Sequence, residues 1–350
     1  MIDMQNKLFD NFDAIIITSP TNRFYFSQIK TSFGVLLLLK DKKYYFTDFR
    51  YAIETKNNSE GIEIIITNPT DLYSDVKKIL SDNLVKTVGY EETDLTVSKF
   101  NAIKKELSEF KLKSVGEEID ELRIIKSDAE INKIKKAQRI TEQALEKALQ
   151  TIKLGVTERE LSAEITYQLL LSGADGNAFD NIVAFGENSA ECHHTVSDRK
   201  LEKGDIVLID IGAKYQNYCS DMTRTFCYGE PPKKLIELYD LVKSAQVYVL
   251  KHIKAGMTGS ELDTLAREFF KANGYEQEFG HSLGHGVGIK IHEKPNLSRT
   301  YSQPLPENAV VTVEPGLYIE NFGGVRIEDM VVIKKDGIEN LTNYPKTLII

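Results

Sequence analysis

The sequence predicts an α+β protein in two domains, a smaller α/β domain over residues 1–123 followed by a larger one over 124–350. Three observations carry this. At about 150 residues per domain, 350 residues suggest two. The first third alternates short apolar runs with polar turns and is interrupted by helical periodicity. A charged stretch from Lys113 to Arg123 then gives way to Ser127-Asp128-Ala129-Glu130, a helix-start signature.

In chain order, Ala14 to Thr18, Gly34 to Lys40, Tyr44 to Asp48 and Ile62 to Thr67 read as strands. Asp71 to Asp82 and Val97 to Phe110 read as helices. Beyond Ser127, the residues Ile131, Ile134, Ile140, Ala144, Leu145 and Leu149 recur at helical spacing and predict one long helix to about residue 150. Ile152 to Leu161 and Ile253 to Leu262 share six identities in ten at an offset of 101 residues. In both, a helix ends before Gly, and Thr with Glu three positions later starts the next: Thr157 with Glu160, and Thr258 with Glu261. Internal duplication and shared cap chemistry would each produce this. If duplication is the cause, the second domain has two related halves.

Composition excludes several classes. With 41% hydrophobic and 27% charged residues and only 22 Gly and 9 Pro, the chain is neither disordered nor collagen-like. Apolar runs such as Val35 to Leu39 fall far short of the ~18 residues of a membrane span, so no membrane partner is expected. The start, Met1 to Lys7, mixes acidic and polar residues where a signal peptide needs an apolar stretch, which points to the cytoplasm. Lys and Arg at 44 against Asp and Glu at 52 leave a charge of −8, which disfavours nucleic acid. Cys192, Cys219 and Cys227, an odd number in a large chain, are expected as reduced thiols.

The chemistry lies in acids embedded in strands. Ile206 to Gly212 carries Asp210, and Tyr218 to Phe226 carries Asp221. With Lys214 to Asn217 as the turn, antiparallel pairing sets these two carboxylates opposite each other on one face, roughly 5 Å apart. Val310 to Pro315 and Val325 to Glu328 repeat the pattern around a Gly323-Gly324 turn, with Glu314 and Glu328 facing. Each acid taken singly is open to a plainer reading, as a partner of Lys or Arg or as a strand end at the surface. Four together, with only Arg224 and Arg326 as basic residues in those runs, need a cation. The glycine-rich run Gly280 to Gly288, which holds His281 and His285, presents an imidazole, and its glycines suit close backbone packing; its Gly-x-Gly-x-Gly lacks the strand and helix of a phosphate loop. Four carboxylates and one imidazole suit divalent Mn, Co, Zn or Fe. Charge counting favours two ions per chain, with a bridging hydroxide as the natural nucleophile.

These residues resemble the pita-bread metallopeptidases, peptidase family M24, to which methionine aminopeptidase, aminopeptidase P and prolidase belong. The likeness rests on Ser220-Asp221-Met222-Thr223-Arg224-Thr225, Gly284-His285-Gly286 and Val313-Glu314-Pro315-Gly316, and it covers the whole chain. It implies a C-terminal pita-bread fold, a curved antiparallel sheet with helices outside and an internal pseudo-two-fold. It further implies five metal ligands, Asp210, Asp221, His285, Glu314 and Glu328. Asp221 and Glu328 would bridge two ions, Mn being the first candidate. Asp210 would complete one ion, His285 and Glu314 the other, and Glu314 would also carry protons.

The proline-directed branch of the family adds His193 and His292, implied to stabilise the tetrahedral intermediate or the peptide, and His281 and Arg326, implied to hold substrate. His194 stands second to His193, and His252 reads as a surface histidine. Asn22-Arg23-Phe24-Tyr25-Phe26 and Thr47-Asp48-Phe49-Arg50-Tyr51 resemble a creatinase-like N-terminal domain. Without that resemblance they read as a turn and a strand end. Two departures fall near substrate recognition. The Gly-rich continuation usual after the aromatic pair is missing between Tyr25 and Gly34, and Glu191-Cys192 stands where residue-Pro is usual before His193.

The expected activity is therefore dinuclear-metal hydrolysis of the bond between an N-terminal residue and proline in short peptides, by a homodimer. A short N-terminal domain, and no large insertion between Asp221 and His285, put Xaa-Pro aminopeptidase first and Xaa-Pro dipeptidase (prolidase) second. Methionine aminopeptidase would not predict the N-terminal domain or Arg326. An inactive pita-bread binding module is the alternative of a different class.

Overall fold

In the computed structural model, which describes residues 8–57 and 59–350, the N-terminal unit ends at Leu122 and the C-terminal unit begins at Arg123. The heptapeptide on which the signal-peptide reading rests lies outside the described residues.

The N-terminal unit runs β1 (Ala14–Ile17), α1 (Pro20–Ser27), β2 (Val35–Leu39), β3 (Lys43–Thr47), α2 (Ala52–Asn57), β4 (Glu63–Ile66), α3 (Leu72–Asp82), β5 (Thr87–Tyr90), α4 (Val97–Glu106), β6 (Lys111–Ser114) and α5 (Gly116–Leu122). Its sheet has the order β4-β3-β2-β1-β5-β6. The central strand β1 pairs antiparallel with β2 and parallel with β5, and its four residues are all fully buried, as covered faces on both sides require. Two expectations fail here. Residues 22–26 form the body of α1 and not a turn: Ser19 caps the helix by accepting from the Asn22 N–H, and Pro20 fills its first turn. Buried Glu91 then holds the helix start through the Ser19 N–H and hydroxyl and the Asn22 amide. Helix α4 stops at Glu106, four residues before the predicted Phe110, because β6 must begin at Lys111 to pair with Thr87. The charged stretch after Lys113 holds the end of β6 and then α5.

The C-terminal unit runs α6 (Asp128–Leu149), α7 (Glu158–Leu171), β7 (Gly176–Asn177), β8 (Ile182–Phe185), β9 (Ile206–Ile211), β10 (Ala213–Tyr215), β11 (Tyr218–Cys219), β12 (Met222–Cys227), α8 (Lys233–His252), α9 (Gly259–Ala272), β13 (Gly284–Gly286), β14 (Glu293–Leu297), β15 (Val310–Val313), β16 (Gly316–Ile319), β17 (Gly323–Arg326), β18 (Asp329–Lys334) and β19 (Gly337–Asn340). All the strand pairings described in this unit are antiparallel. Helices α6, α7 and α9 start on complete capping boxes at Ser127, Thr157 and Thr258, as the sequence predicts.

The repeat extends into three dimensions. Gly155 donates to the Leu201 carbonyl while Leu201 donates back to Val156; Gly256 and Leu305 do the same with Met257. Both glycines have positive φ, 82° and 87°. In each half a helix pair packs on antiparallel strands: α6 and α7 bury Ile140, Leu145 and Ile165 against Val207, Ile209 and Phe226, while α8 and α9 bury Val242, Leu262 and Phe270 against Val311, Val313 and Ile333. Shared capping alone would not reproduce these strand contacts, so the two halves are structurally related. Among the described residues, no helix is long and apolar enough to cross a membrane.

Candidate metal centre

Strand alternation positions the first acid. Ile209 and Ile211 of β9 face the helix-packed core, so Asp210 projects from the opposite side. The predicted register is corrected by two residues: Asp210 lies opposite Thr223, not Asp221. The turn is Gln216-Asn217, both at positive φ (47° and 67°), and Lys214 pairs with Cys219. This two-residue turn follows the right-handed strand twist, as the favoured hairpin turns do. A shift of two preserves the face, so Asp221 still shares the side of Asp210, although it falls in the interruption between β11 and β12. Gly212 permits that interruption, since a Cβ there would sit 2.0 Å from the Ser220 carbonyl oxygen.

The other two acids also stand in strand interruptions, Glu314 between β15 and β16 and Glu328 between β17 and β18. Pairs Val313–Asp329 and Gly316–Arg326 flank them symmetrically, so they face across the break. The turn is again displaced. Gly323 and Gly324 open β17, and the reversal is Glu320–Phe322, with Asn321 at φ 60°. Close approach explains the second glycine, whose Cβ would lie 2.3 Å from the Ser189 carbonyl oxygen. His285 is carried by β13 between Gly284 and Gly286, each of which would clash with the backbone of a neighbouring strand if given a Cβ.

The fold thus gathers Asp221, His285 and Glu328, whose ligand atoms all lie within 4.8 Å of one another. Glu314 adjoins them, with Oε1 3.4 Å from His285 Nε2, and Asp221 Oδ2 is 3.5 Å from the same nitrogen. His285 Nδ1 donates to the Gly286 carbonyl at 3.1 Å, which leaves Nε2 as the free lone pair facing the acids. Thr223 Oγ1 donates to Glu328 Oε2 at 2.7 Å, and Thr312 Oγ1 to Glu314 Oε1 at 3.0 Å. Asp210 stands slightly apart, bonded through Oδ2 to Arg326 Nη2 at 2.7 Å. Asp210 Oδ1 and Glu328 Oε1 are buried with no protein partner.

Electrostatics describes a site short of positive charge. Burial, then Glu328 and Asp210, push the Asp221 carboxyl well up; burial, then Glu314 and Asp210, do the same to Glu328. Glu314 is raised to about 8, mainly by burial. His285 is pushed down to about 4, mainly by burial, so it is neutral and able to coordinate. Partnerless carboxylate oxygens beside a neutral imidazole are a donor set that fits hard or borderline divalent cations.

The remaining predicted residues border a cleft of about 950 Å³ with Asp210, Asp221, His285 and Glu314 on its wall. His193 and His292 are exposed to it, and the His292 ring lies 4.2 Å from that of His285. His281 accepts at Nε2 from the Tyr318 hydroxyl (3.0 Å), which itself accepts from Arg326 Nη1 (2.7 Å). Burial pushes His281 down to about 4 and the Tyr318 phenol well up, so both stay neutral. Arg326 is itself buried, giving Nε to Thr223 Oγ1 and Nη1 also to the Cys192 carbonyl. It therefore spends its donors on the protein. Sequence reading missed Tyr318, which carries no motif beyond its place two residues into β16. His194 borders the cleft but bonds Glu158 and Glu191; His252 is exposed, as expected. Cys219 and Cys227 are buried, Cys192 half-buried, and all three are free thiols.

Residues 132–335 match the model of metallopeptidase family M24, and residues 9–125 that of the creatinase/prolidase N-terminal domain. The Xaa-Pro dipeptidase of Pyrococcus furiosus is 37% identical over 97% of this chain and 96% of its own length. Among solved structures, the X-Pro aminopeptidase of Thermotoga maritima superposes with a TM-score of 0.94 at 39% identity, covering 99% of this chain and 100% of that one. The Xaa-Pro dipeptidase of Bacillus anthracis gives 0.95 at 38% identity, covering 100% and 99%.

Proposed function

This chain belongs to metallopeptidase family M24, and from that membership we propose that it hydrolyses the bond between an N-terminal residue and proline, with Xaa-Pro dipeptides as first substrates. The observation that carries the reading is the cluster of buried carboxylates and a neutral imidazole, two of its carboxylate oxygens without a protein partner, beside a peptide-sized cleft lined by Asp210, Asp221, His285 and Glu314. Of the two proline activities open from the sequence, the dipeptidase is favoured: the Pyrococcus and Bacillus relatives bear that name, and the Thermotoga structure bears the other.

In this reading Asp210, Asp221, His285, Glu314 and Glu328 hold about two divalent ions, Mn first among Mn, Co, Zn and Fe. Bound there, such ions supply Lewis acidity and lower the pKa of water. The rest falls to the chain. Glu314, kept by burial near neutrality in its titration, takes and returns a proton at a carboxylate oxygen. That proton has a destination, because proline nitrogen carries no hydrogen in the peptide and must leave as an amine. His193 and His292 supply imidazoles to the developing oxyanion or the peptide. Arg326 fixes Asp210 and, through Tyr318, His281, so its part in holding substrate is exercised through these neighbours.

With Mn supplied, Xaa-Pro is expected to be cleaved at least about tenfold better in kcat/KM than matched Xaa-Pro-Yaa, a difference of ~1.4 kcal/mol. Cleavage of the tripeptide alone would reverse the dipeptidase preference. Failure on both, with turnover of Met-Ala peptides, would end the proline assignment. We extend the proposal to a cytoplasmic homodimer, supported by the free thiols and by the prevalence of two-fold assemblies. Light scattering is expected to give twice 39.6 kDa, and a mass near 39.6 kDa at all working concentrations would reject the dimer.

A further inference from the structure

His193 enters the cleft on a loop whose next residue, His194, has both ring nitrogens on carboxylates. Nε2 lies 2.8 Å from Glu158 Oε2, and Nδ1 lies 2.7 Å from Glu191 Oε2. Ionised carboxylates only accept, so both nitrogens donate and the ring is an imidazolium. Glu158 is fully buried at the start of α7 and takes more than this one bond. It also accepts from the Phe185 N–H, the Asn188 amide, and the Ser197 N–H and hydroxyl. One carboxylate thereby ties the end of β8, the 3₁₀ segment Gly186–Ala190 and the far end of the loop. On the near side of His193, the Cys192 carbonyl accepts from Arg326. On the far side, the His194 N–H donates to the Glu191 carbonyl at 3.1 Å.

We propose that His194, clamped as an imidazolium between Glu158 and Glu191, is a positioning residue that fixes where the His193 imidazole stands in the cleft. The proposal rests on the peptidase reading above. Burial lowers the His194 pKa, but hydrogen bonds to Glu191 and Glu158 outweigh it and hold it above its usual value. The charged groups around the clamp are Glu158 from α7, Glu191 just after the 3₁₀ segment, and Arg199, which interacts with Glu158 while paired to Asp205 at 2.7 Å. A misplacement of about 1 Å in a group facing the reacting bond is enough to lower turnover by ~10²-fold, so a clamp on the residue next to His193 has leverage on kcat.

His194→Gln is expected to lower kcat ~10–100-fold, as loss of an outer partner does, with KM and bound metal little changed. In a His193→Ala background the same substitution should cost almost nothing further, because the residue acts through His193. Glu191→Gln, whose side chain is 69% exposed and so leaves the core intact, should lower kcat by a smaller factor and move the His194 NMR titration to lower pH. Unchanged kcat in both variants, or full additivity with His193→Ala, would overturn the proposal. The His193 ring signal, followed by NMR without substrate, separates the two ideas. If it is unmoved in both His194→Gln and Glu191→Gln, positioning is wrong whatever the substrate. If it moves while the wild type cleaves no Xaa-Pro peptide, the peptidase reading fails and the positioning role stands.

Discussion

Asp221→Asn and Glu328→Gln are expected to lose bound divalent metal and peptidase activity together, with kcat down at least about 10³-fold, or ~4 kcal/mol of transition-state stabilisation. Both residues belong to the group whose ligand atoms lie within 4.8 Å, and both are buried. Each amide replaces an anionic oxygen with an N–H₂ donor that can only repel a cation. Glu328 Oε2 also accepts from Thr223, and its Oε1 has no protein partner and is open to an ion. Metal analysis of the purified variants should fall from about two ions per chain to one or fewer. His193→Ala and His292→Ala supply the contrast: these residues are exposed in the cleft and outside the 4.8 Å group, so metal should be retained while turnover falls. Full activity of either carboxylate variant at low metal would end the dinuclear reading, and metal loss from both histidine variants would move those residues into the ligand set.

The contrast between these residues was partly legible in the sequence. A single acid in an apolar strand run is conspicuous because nothing else there is polar, and so Asp210, Asp221, Glu314 and Glu328 could be picked out. Alternation also gave their face. It did not give their register, since a shift of two residues keeps every side chain on its side; only the positive φ values at Gln216 and Asn217 fix the offset. Gly323-Gly324 misled in a related way. Glycine pairs mark turns and close approaches equally well, and here the approach to Ser189 decides.

The network around Arg326 was the least legible part. A sequence shows a basic residue two positions before an acid, but the partners that consume its donors come from β9, β12, β16 and the loop at Cys192. The same holds for His194, whose partner Glu158 is 36 residues away and whose role emerges only once α7 is laid beneath the loop. Local signatures fared better: three capping boxes were legible because both partners lie within four residues.

The carboxylate cluster also predicts how the protein behaves when metal is removed. Chelated enzyme should lose stability as pH rises from about 6.5 to 8, while metal-loaded enzyme should change much less. Asp221, Glu314 and Glu328 all have folded-state values above their unfolded ones, with Glu314 at about 8. Across that window the folded chain keeps protons that the unfolded chain has released, so stability falls with rising pH. Below 6.5 the sign is mixed, because His281 and His285, both lowered to about 4, and the less strongly lowered His292 gain stability as the unfolded histidines lose their protons. Above 6.5 that opposing contribution fades, and it is spent by about pH 7.5. Each carboxyl still holding its proton costs up to about 1.4 kcal/mol per pH unit, and because Asp221, Glu314 and Glu328 raise one another they release their protons as one coupled group and not as three independent acids. At roughly 2–4 °C per kcal/mol, the apo protein should melt at least a few degrees lower at pH 8 than at pH 6.5. His194, whose raised value has the same sign over this window, is away from the cluster and contributes to both forms, so the difference between apo and metal-loaded melting curves removes it. Apo protein as stable at pH 8 as at pH 6.5, or a fall of equal size with metal bound, would mean that the buried acids are neutralised by something other than the ions proposed for them.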